Sequence, residues 1–167
     1  MMSCVYDDAG PFRRAVRRTA ATRPLALLYG RIQHPADTLV FRLTRGRTTL
    51  SSWLAGMRLV MLTTTGARSG LPRTLPVLAL REGEDTILIA SNFGRARNPA
   101  WCHNLRANPR ATLRVGDISR EVVVHELHGA ERDQGYQRGA EVFPAFAHYR
   151  RWTDREIPVF RACPTRT

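Results

Sequence analysis

The stretch Thr65-Gly66-Ala67-Arg68-Ser69-Gly70-Leu71-Pro72-Arg73 concentrates the parts of an anion site: two glycines that free the backbone, a hydroxyl and two guanidiniums. In a tight glycine turn, successive backbone N–H groups can converge on an oxyanion, while Arg68 and Arg73 add forked, charge-assisted hydrogen bonds. The same residues also make an ordinary solvated hairpin turn, and spacing alone favours that plainer reading. Other patterned chemistry is scarce. The sequence has no G-x-G-x-x-G, no Walker-type phosphate loop, no H-E-x-x-H and no G-x-S-x-G, which weighs against ATPase and hydrolase mechanisms. The five histidines, His34, His103, His125, His128 and His148, include no i, i+4 pair, so no metal site is expected.

These residues need elements to hold them. Residues 57–65, 74–81 and 86–91 read as strands, the last two joined by the Glu-Gly-Glu-Asp turn of a hairpin. A further pair, 111–115 and 120–127, flanks Gly116-Asp117, with Val122 and Val124 alternating against their neighbours. Asn98-Pro99 opens a helix, with Asn as N-cap and Pro as first helical residue, and Asn108-Pro109 closes it. Residues 130–149 look helical with a break near Pro144, and 157–160 supply a last strand. Short strands with helices at their ends predict the α+β class and an antiparallel barrel or sheet. Ahead of these, Phe12, Ala15, Val16 and Ala20 recur at helical spacing opposite Arg13, Arg14, Arg17 and Arg18, and Pro35 to Leu43 forms a second candidate helix.

Three more features join the glycine–arginine loop: Ala90-Ser91-Asn92 at a strand end, Asn98-Pro99-Ala100-Trp101 at a helix start, and Trp152-Thr153-Asp154-Arg155 after an aromatic stretch. Together with Leu-Thr-Thr-Thr-Gly-x-x-Ser-Gly-x-Pro-Arg at 62–73 and the late Arg-x-Ile-Pro, this pattern resembles the deazaflavin-dependent nitroreductase family over about residues 59–164. The resemblance implies a split antiparallel β-barrel of about six strands, related to the flavin mononucleotide oxidoreductases. It also implies use of reduced coenzyme F420 as hydride donor.

Carried over by position, the resemblance assigns Ala67, Arg68, Ser69 and Arg73 to the phosphate and glutamate tail of the cofactor. It places Thr74, Leu75, Pro76, Val77 and Leu78 along the cofactor's path, Ile89, Ala90, Ser91 and Asn92 along the deazaflavin ring, and Ala100, Trp101, Cys102, His103 and Asn104 on the other side. Asn92 stands where the family often has a lysine. The stretch 143–149 corresponds to a tyrosine-rich segment of nitro-reducing relatives, and here only Tyr149 keeps a hydroxyl. Phe143, Phe146 and Tyr149 recur every third residue on one helical face, a spacing that serves core packing as well as a substrate wall. The expected reaction is hydride transfer to a flat electron-poor acceptor, quinone or enone before nitroaromatic, with a proton from Tyr149, Ser91 or water. The cofactor performs such chemistry, so no catalytic dyad is needed. The alternative is a non-catalytic carrier of F420, flavin mononucleotide or heme.

Composition sets the frame. The 167 residues suit one domain, with 1–56 as a basic helical extension packed on a barrel domain of 57–167. The net charge of +12 is carried by 26 arginines and no lysine, which favours an anionic partner. No recognition helix or aromatic RNA motif supports nucleic acid as that partner. Three scattered cysteines, Cys4, Cys102 and Cys163, and the absence of a long apolar run point to a reduced, cytoplasmic protein, and a monomer or homodimer is expected. The Arg-rich helix adds the option of peripheral membrane contact.

Overall fold

The computed structural model describes Val40 and residues 59–165. Both expected N-terminal helices and the domain boundary near residue 56 therefore lie outside the described residues, apart from Val40, which is helical. Six strands follow: β1 (Leu59–Thr65), β2 (Pro72–Glu82), β3 (Asp85–Ile89), β4 (Arg110–Val115), β5 (Ile118–Leu127) and β6 (Val159–Pro164). They close into an antiparallel barrel in the order β1-β2-β3-β6-β5-β4. Helix α1 (Ala100–Ala107) interrupts the strands, and α2 (Gly129–Val142) and α3 (Ala145–Arg151) form the helical pair before β6. Proline cannot extend a helix from within, and Pro144 divides α2 from α3 as expected. The last strand sits two residues later than the sequence places it, because Pro158 and Ile157 serve as its buried approach.

Strand alternation sorts apolar side chains into two cores. Leu62, Val77, Ala79, Leu88, Ala90, Leu113, Val122, Val124 and Phe160 fill the barrel, and α1 adds Trp101, Cys102 and Leu105 to the same interior. On the outside, Leu80, Ile87, Ile89 and Val159 pack beneath Tyr136, Phe143, Phe146 and Tyr149 of the helical pair. Gly139 lets α2 come this close, since a Cβ there would collide with the Ile89 side chain.

An ion pair fixes α1 to the barrel wall: Arg106 Nε and Nη2 donate to the Glu126 carboxylate at 2.7 and 2.6 Å. That bond holds the Glu126 carboxyl below its ordinary pKa. A depressed carboxylate stabilises the fold at neutral pH, and the contribution disappears as pH falls through and below the usual carboxylate range. Because the pair is partly exposed, Glu126→Gln is expected to cost only about 1 kcal/mol at pH 7, with the difference from wild type vanishing on acidification. Urea unfolding at several pH values reads this, and a pH-independent difference would refute it.

Candidate functional site

The barrel is split on one side. β2 pairs with β1 from Pro72 to Leu78 but with β3 only from Ala79 to Glu82. After Ile89 the chain leaves that ladder, and Ala90 N donates to Pro158 O at 2.9 Å instead. Among the described residues, the β3 side of Pro72–Leu78 thus has no strand partner. Pro76, which lacks an N–H, falls within this unpaired half, where a strand tolerates it. Alternation divides the five residues assigned to the cofactor's path. Leu75 and Val77 turn into the barrel core, whereas Thr74, Pro76 and Leu78 lie on the outer face. Thr74 meets Thr63 there, hydroxyl to hydroxyl at 2.8 Å.

At one end of this edge sits the glycine–arginine turn. Its backbone donors are largely used within the protein: Gly66 N donates to Leu71 O, Gly70 N to Gly66 O, and Leu71 N to Ser69 Oγ. Ala67 N donates to Asn104 Oδ1 at 3.0 Å. The turn therefore offers an anion chiefly its side chains. Arg68 and Arg73 are exposed, and neither forms an ion pair among the described residues.

Asn104 comes from α1 and is only 8% exposed. Its Nδ2 donates to the buried Thr64 hydroxyl at 3.0 Å, so one amide ties the helix both to the end of β1 and to the turn. Of the other α1 residues assigned to the cofactor, Trp101 and Cys102 point into the barrel, with Trp101 against Phe160 at 5.5 Å between ring centroids. Burial pushes the Cys102 thiol up to about 11. Ala100 and His103 face outward. The helix start differs from the sequence expectation: Pro99 occupies the cap position, no side chain caps it, and Asn98 Oδ1 is engaged by Arg155 at 2.7 Å.

Ser91, Asn92 and Phe93 follow β3. Asn92 and Phe93 adopt φ of 47° and 55°, and Gly94 continues at 69°. Asparagine enters this left-handed region more readily than most residues, and here its Nδ2 also closes the loop onto Arg97 O at 2.8 Å. That gives Asn92 a conformational role at the position where the resemblance implies a lysine. The Phe93 ring stands edge-on to Tyr149 at 6.0 Å. Sequence reading singled out Arg155 only as part of a motif. The structure shows it donating to four acceptors of the 90–98 segment.

Phe143, Phe146 and Tyr149 are brought together, and all three are buried at 7%, 3% and 2% exposure. They pack edge-to-face at 5.2 to 6.3 Å, with Trp152 at 5.4 Å from Tyr149. The Tyr149 hydroxyl is enclosed without a hydrogen-bond partner among the described residues, and burial raises its pKa well above the ordinary phenol value. Ser91 is half-buried. A cleft of about 430 Å³ between α2 and α3, lined by Tyr136, Gln137, Ala140, Ala147, Arg150 and Arg151, includes none of the residues assigned from sequence.

Three features stand out among the described residues: a strand edge with no strand partner, an arginine-bearing turn at one end of it and a hydrogen-bonded loop following β3. Main-chain donors and acceptors suit the rim of a flat heterocycle, and two guanidiniums without an ion pair among the described residues suit phosphate and carboxylates. These features fit a deazaflavin with an anionic tail. Comparison with known proteins agrees. An F420H(2)-dependent quinone reductase of Mycobacterium tuberculosis H37Rv is 32% identical over 105 residues, 60% of this chain and 69% of its own. A solved F420-H2 dependent reductase, FDR-A, superposes with a TM-score of 0.59 at 36% identity, covering 63% of this chain and 93% of that one. A solved domain-swapped dimer gives 0.61 at 32% identity, covering 75% and 94%. The heme storage protein HutZ of Vibrio cholerae, at 11% identity and a TM-score of 0.52 over 79% of this chain and 92% of its own, shares the fold alone. A family model described as F420H(2)-dependent quinone reductase matches residues 37–164, and the chain belongs to that family.

Proposed function

We propose that this protein reduces quinones at the open edge of β2, with reduced coenzyme F420 as donor. When bound, the cofactor supplies a hydride, and a quinone that takes up this hydride and one proton becomes the hydroquinone. The observation that carries the placement is the unpaired Pro72–Leu78 edge, which ends at Arg68 and Arg73. The two arginines hold the phosphate and tail carboxylates by charge-assisted forks. Thr74, Pro76 and Leu78 support the ring on the outer face, and Ser91 borders it after β3. The barrel interior, closed by Trp101 and Cys102, keeps water from reaching the groove from beneath.

The proton comes from Ser91 or from water it orders, because Ser91 is half-buried while the Tyr149 hydroxyl is enclosed by aromatic rings. Phe143, Phe146 and Tyr149 then form the packed support of the Phe93 loop. Tyr149→Phe removes an unpartnered buried hydroxyl, so stability should rise by up to about 1 kcal/mol. Turnover should stay within about threefold of wild type, since loss of a general acid would instead cost about 100-fold or more. A 100-fold fall in kcat with an intact fold would make Tyr149 the donor.

The overall reading is tested by mixing purified protein with reduced F420 and menadione and following deazaflavin oxidation, with flavin mononucleotide as a parallel ligand. Turnover is expected. Binding of flavin mononucleotide with no binding of F420 would overturn it, and F420 binding without turnover across quinones would leave a carrier. Among the described residues no helix is long and apolar enough to cross a membrane. The domain-swapped relative supports a homodimer, which light scattering reads directly.

A further inference from the structure

The loop after β3 is built against backbone preference, since three consecutive residues from Asn92 to Gly94 are left-handed and two of them carry side chains. Such geometry persists only where surrounding contacts over-determine it. Arg155, some 60 residues away in sequence, supplies those contacts. Its Nη2 donates to Ala90 O at 3.0 Å and Ser91 O at 2.8 Å, Nε to Arg95 O at 2.9 Å, and Nη1 to Asn98 Oδ1 at 2.7 Å. The four acceptors span both ends of the loop. Among the described residues no carboxylate pairs with this guanidinium, so the cation is spent on backbone and amide oxygens. Only a planar fork can reach acceptors so disposed; a lysine ammonium is a single point. The floor is set from the same segment of chain. A Cβ on Gly94 would meet Tyr149 O at 3.1 Å and Trp152 at 3.2 Å, so the loop rests directly on the end of α3.

We propose that Arg155 is a positioning residue of the cofactor groove: it locks the 90–98 loop so that Ser91 and Asn92 border the unpaired edge of β2 before any ligand arrives. This rests on the reading that F420 lies along that edge. A loop held in its binding-competent form only a fraction of the time weakens apparent affinity by that fraction and leaves the saturated rate nearly unchanged.

Arg155→Ala and Arg155→Lys, made in the full chain, are compared with wild type by F420 fluorescence titration, steady-state kinetics and amide exchange. In the ligand-free Arg155→Ala protein, the amides of Gly94 and Arg95, which donate to Ser91 O and Asn92 O, should exchange about 10-fold faster or more. Its Kd and KM for F420 should rise about 10-fold or more with kcat within about threefold. Millimolar guanidinium ion should restore affinity to the alanine variant, which relief of a general instability would not do, and lysine should rescue only weakly. If Arg155→Ala does not fold, Asn98→Ala removes one acceptor and should move exchange and affinity in the same direction by about threefold. An alanine variant that folds and keeps wild-type exchange at Gly94 and Arg95 overturns the proposal, as does one with faster exchange but unchanged F420 affinity. Failure of wild type to bind F420 at all would sink the cofactor reading instead, while exchange in the free protein still decides whether Arg155 holds the loop.

Discussion

Replacing Arg68 and Arg73 together by glutamate should raise the Kd for F420 at least about 100-fold while leaving thermal unfolding almost unchanged. Both residues are exposed, Arg68 on the β1–β2 turn and Arg73 at the start of β2, outside either apolar core. Their removal therefore costs little in folding, as expected for surface positions away from packed features. Binding is different. A charge-assisted hydrogen bond contributes about 1.5–3 kcal/mol, so two lost contacts amount to about 3–6 kcal/mol, a factor of about 10² to 10⁴ in Kd. Reversed charge adds repulsion toward the carboxylate tail. Because these contacts are solvent-exposed, wild-type affinity should weaken with added salt, and the double variant should show a much flatter dependence. Calorimetric titration across a salt series measures both effects. An unchanged Kd with a correctly folded double variant would move the tail elsewhere, to the arginines after the Asn92 loop in the first instance. Single variants then apportion the effect, with Arg73 on the β2 edge itself and Arg68 on the turn before it.

The strands were readable because each pairs a β-rich run with a turn signal of its own. Val122 and Val124 alternate, and both are buried; Glu82 to Asp85 makes a tight hairpin, as its glycine suggests. Pro144 marked the break between α2 and α3. What could not be read is where β2 stops being paired. That depends on β3 leaving the ladder after Ile89, a tertiary event without a local signature. The glycine–arginine turn shows the same limit in reverse. Its residues suggested a backbone cradle, but the partner for Ala67 N is an amide 37 residues away, and no spacing rule announces it. Asn98 was legible as a cap by residue type and serves another purpose, because the Arg155 fork competes for its carbonyl. Burial likewise divides the residues carried over by resemblance, since strand alternation turns Leu75 and Val77 into the barrel while the buried face of α1 directs Trp101 and Cys102 there.

Asn104→Leu is expected to be the most damaging single change among the polar residues of the site, because one buried amide serves two elements. Leucine matches the side chain in size, so the loss is mostly of hydrogen bonds rather than volume. It strands the Thr64 hydroxyl, 2% exposed, and releases the Ala67 N–H. A buried group left unpaired costs about 1–3 kcal/mol, whereas the N–H of exposed Ala67 can turn to water at little cost. The expected destabilisation is thus about 2–3 kcal/mol, a fall of about 5–10 °C in Tm for a chain of this size. Two companion variants separate the roles. Adding Thr64→Val removes the stranded hydroxyl and should recover most of the stability, since deleting both partners of a buried hydrogen bond is far milder than deleting one. F420 affinity should not recover with it, because Ala67 still lacks its acceptor and the turn carrying Arg68 stays untethered; a Kd about 3- to 10-fold weaker should persist in the double variant. Asn104→Asp keeps an oxygen for the Ala67 N–H and exchanges the donor to Thr64 for an acceptor that the threonine hydroxyl can itself serve by rotating. It should retain affinity better than leucine does. If stability and affinity instead recover together in the double variant, the turn is held by its own internal hydrogen bonds and Asn104 matters to the site only through the fold.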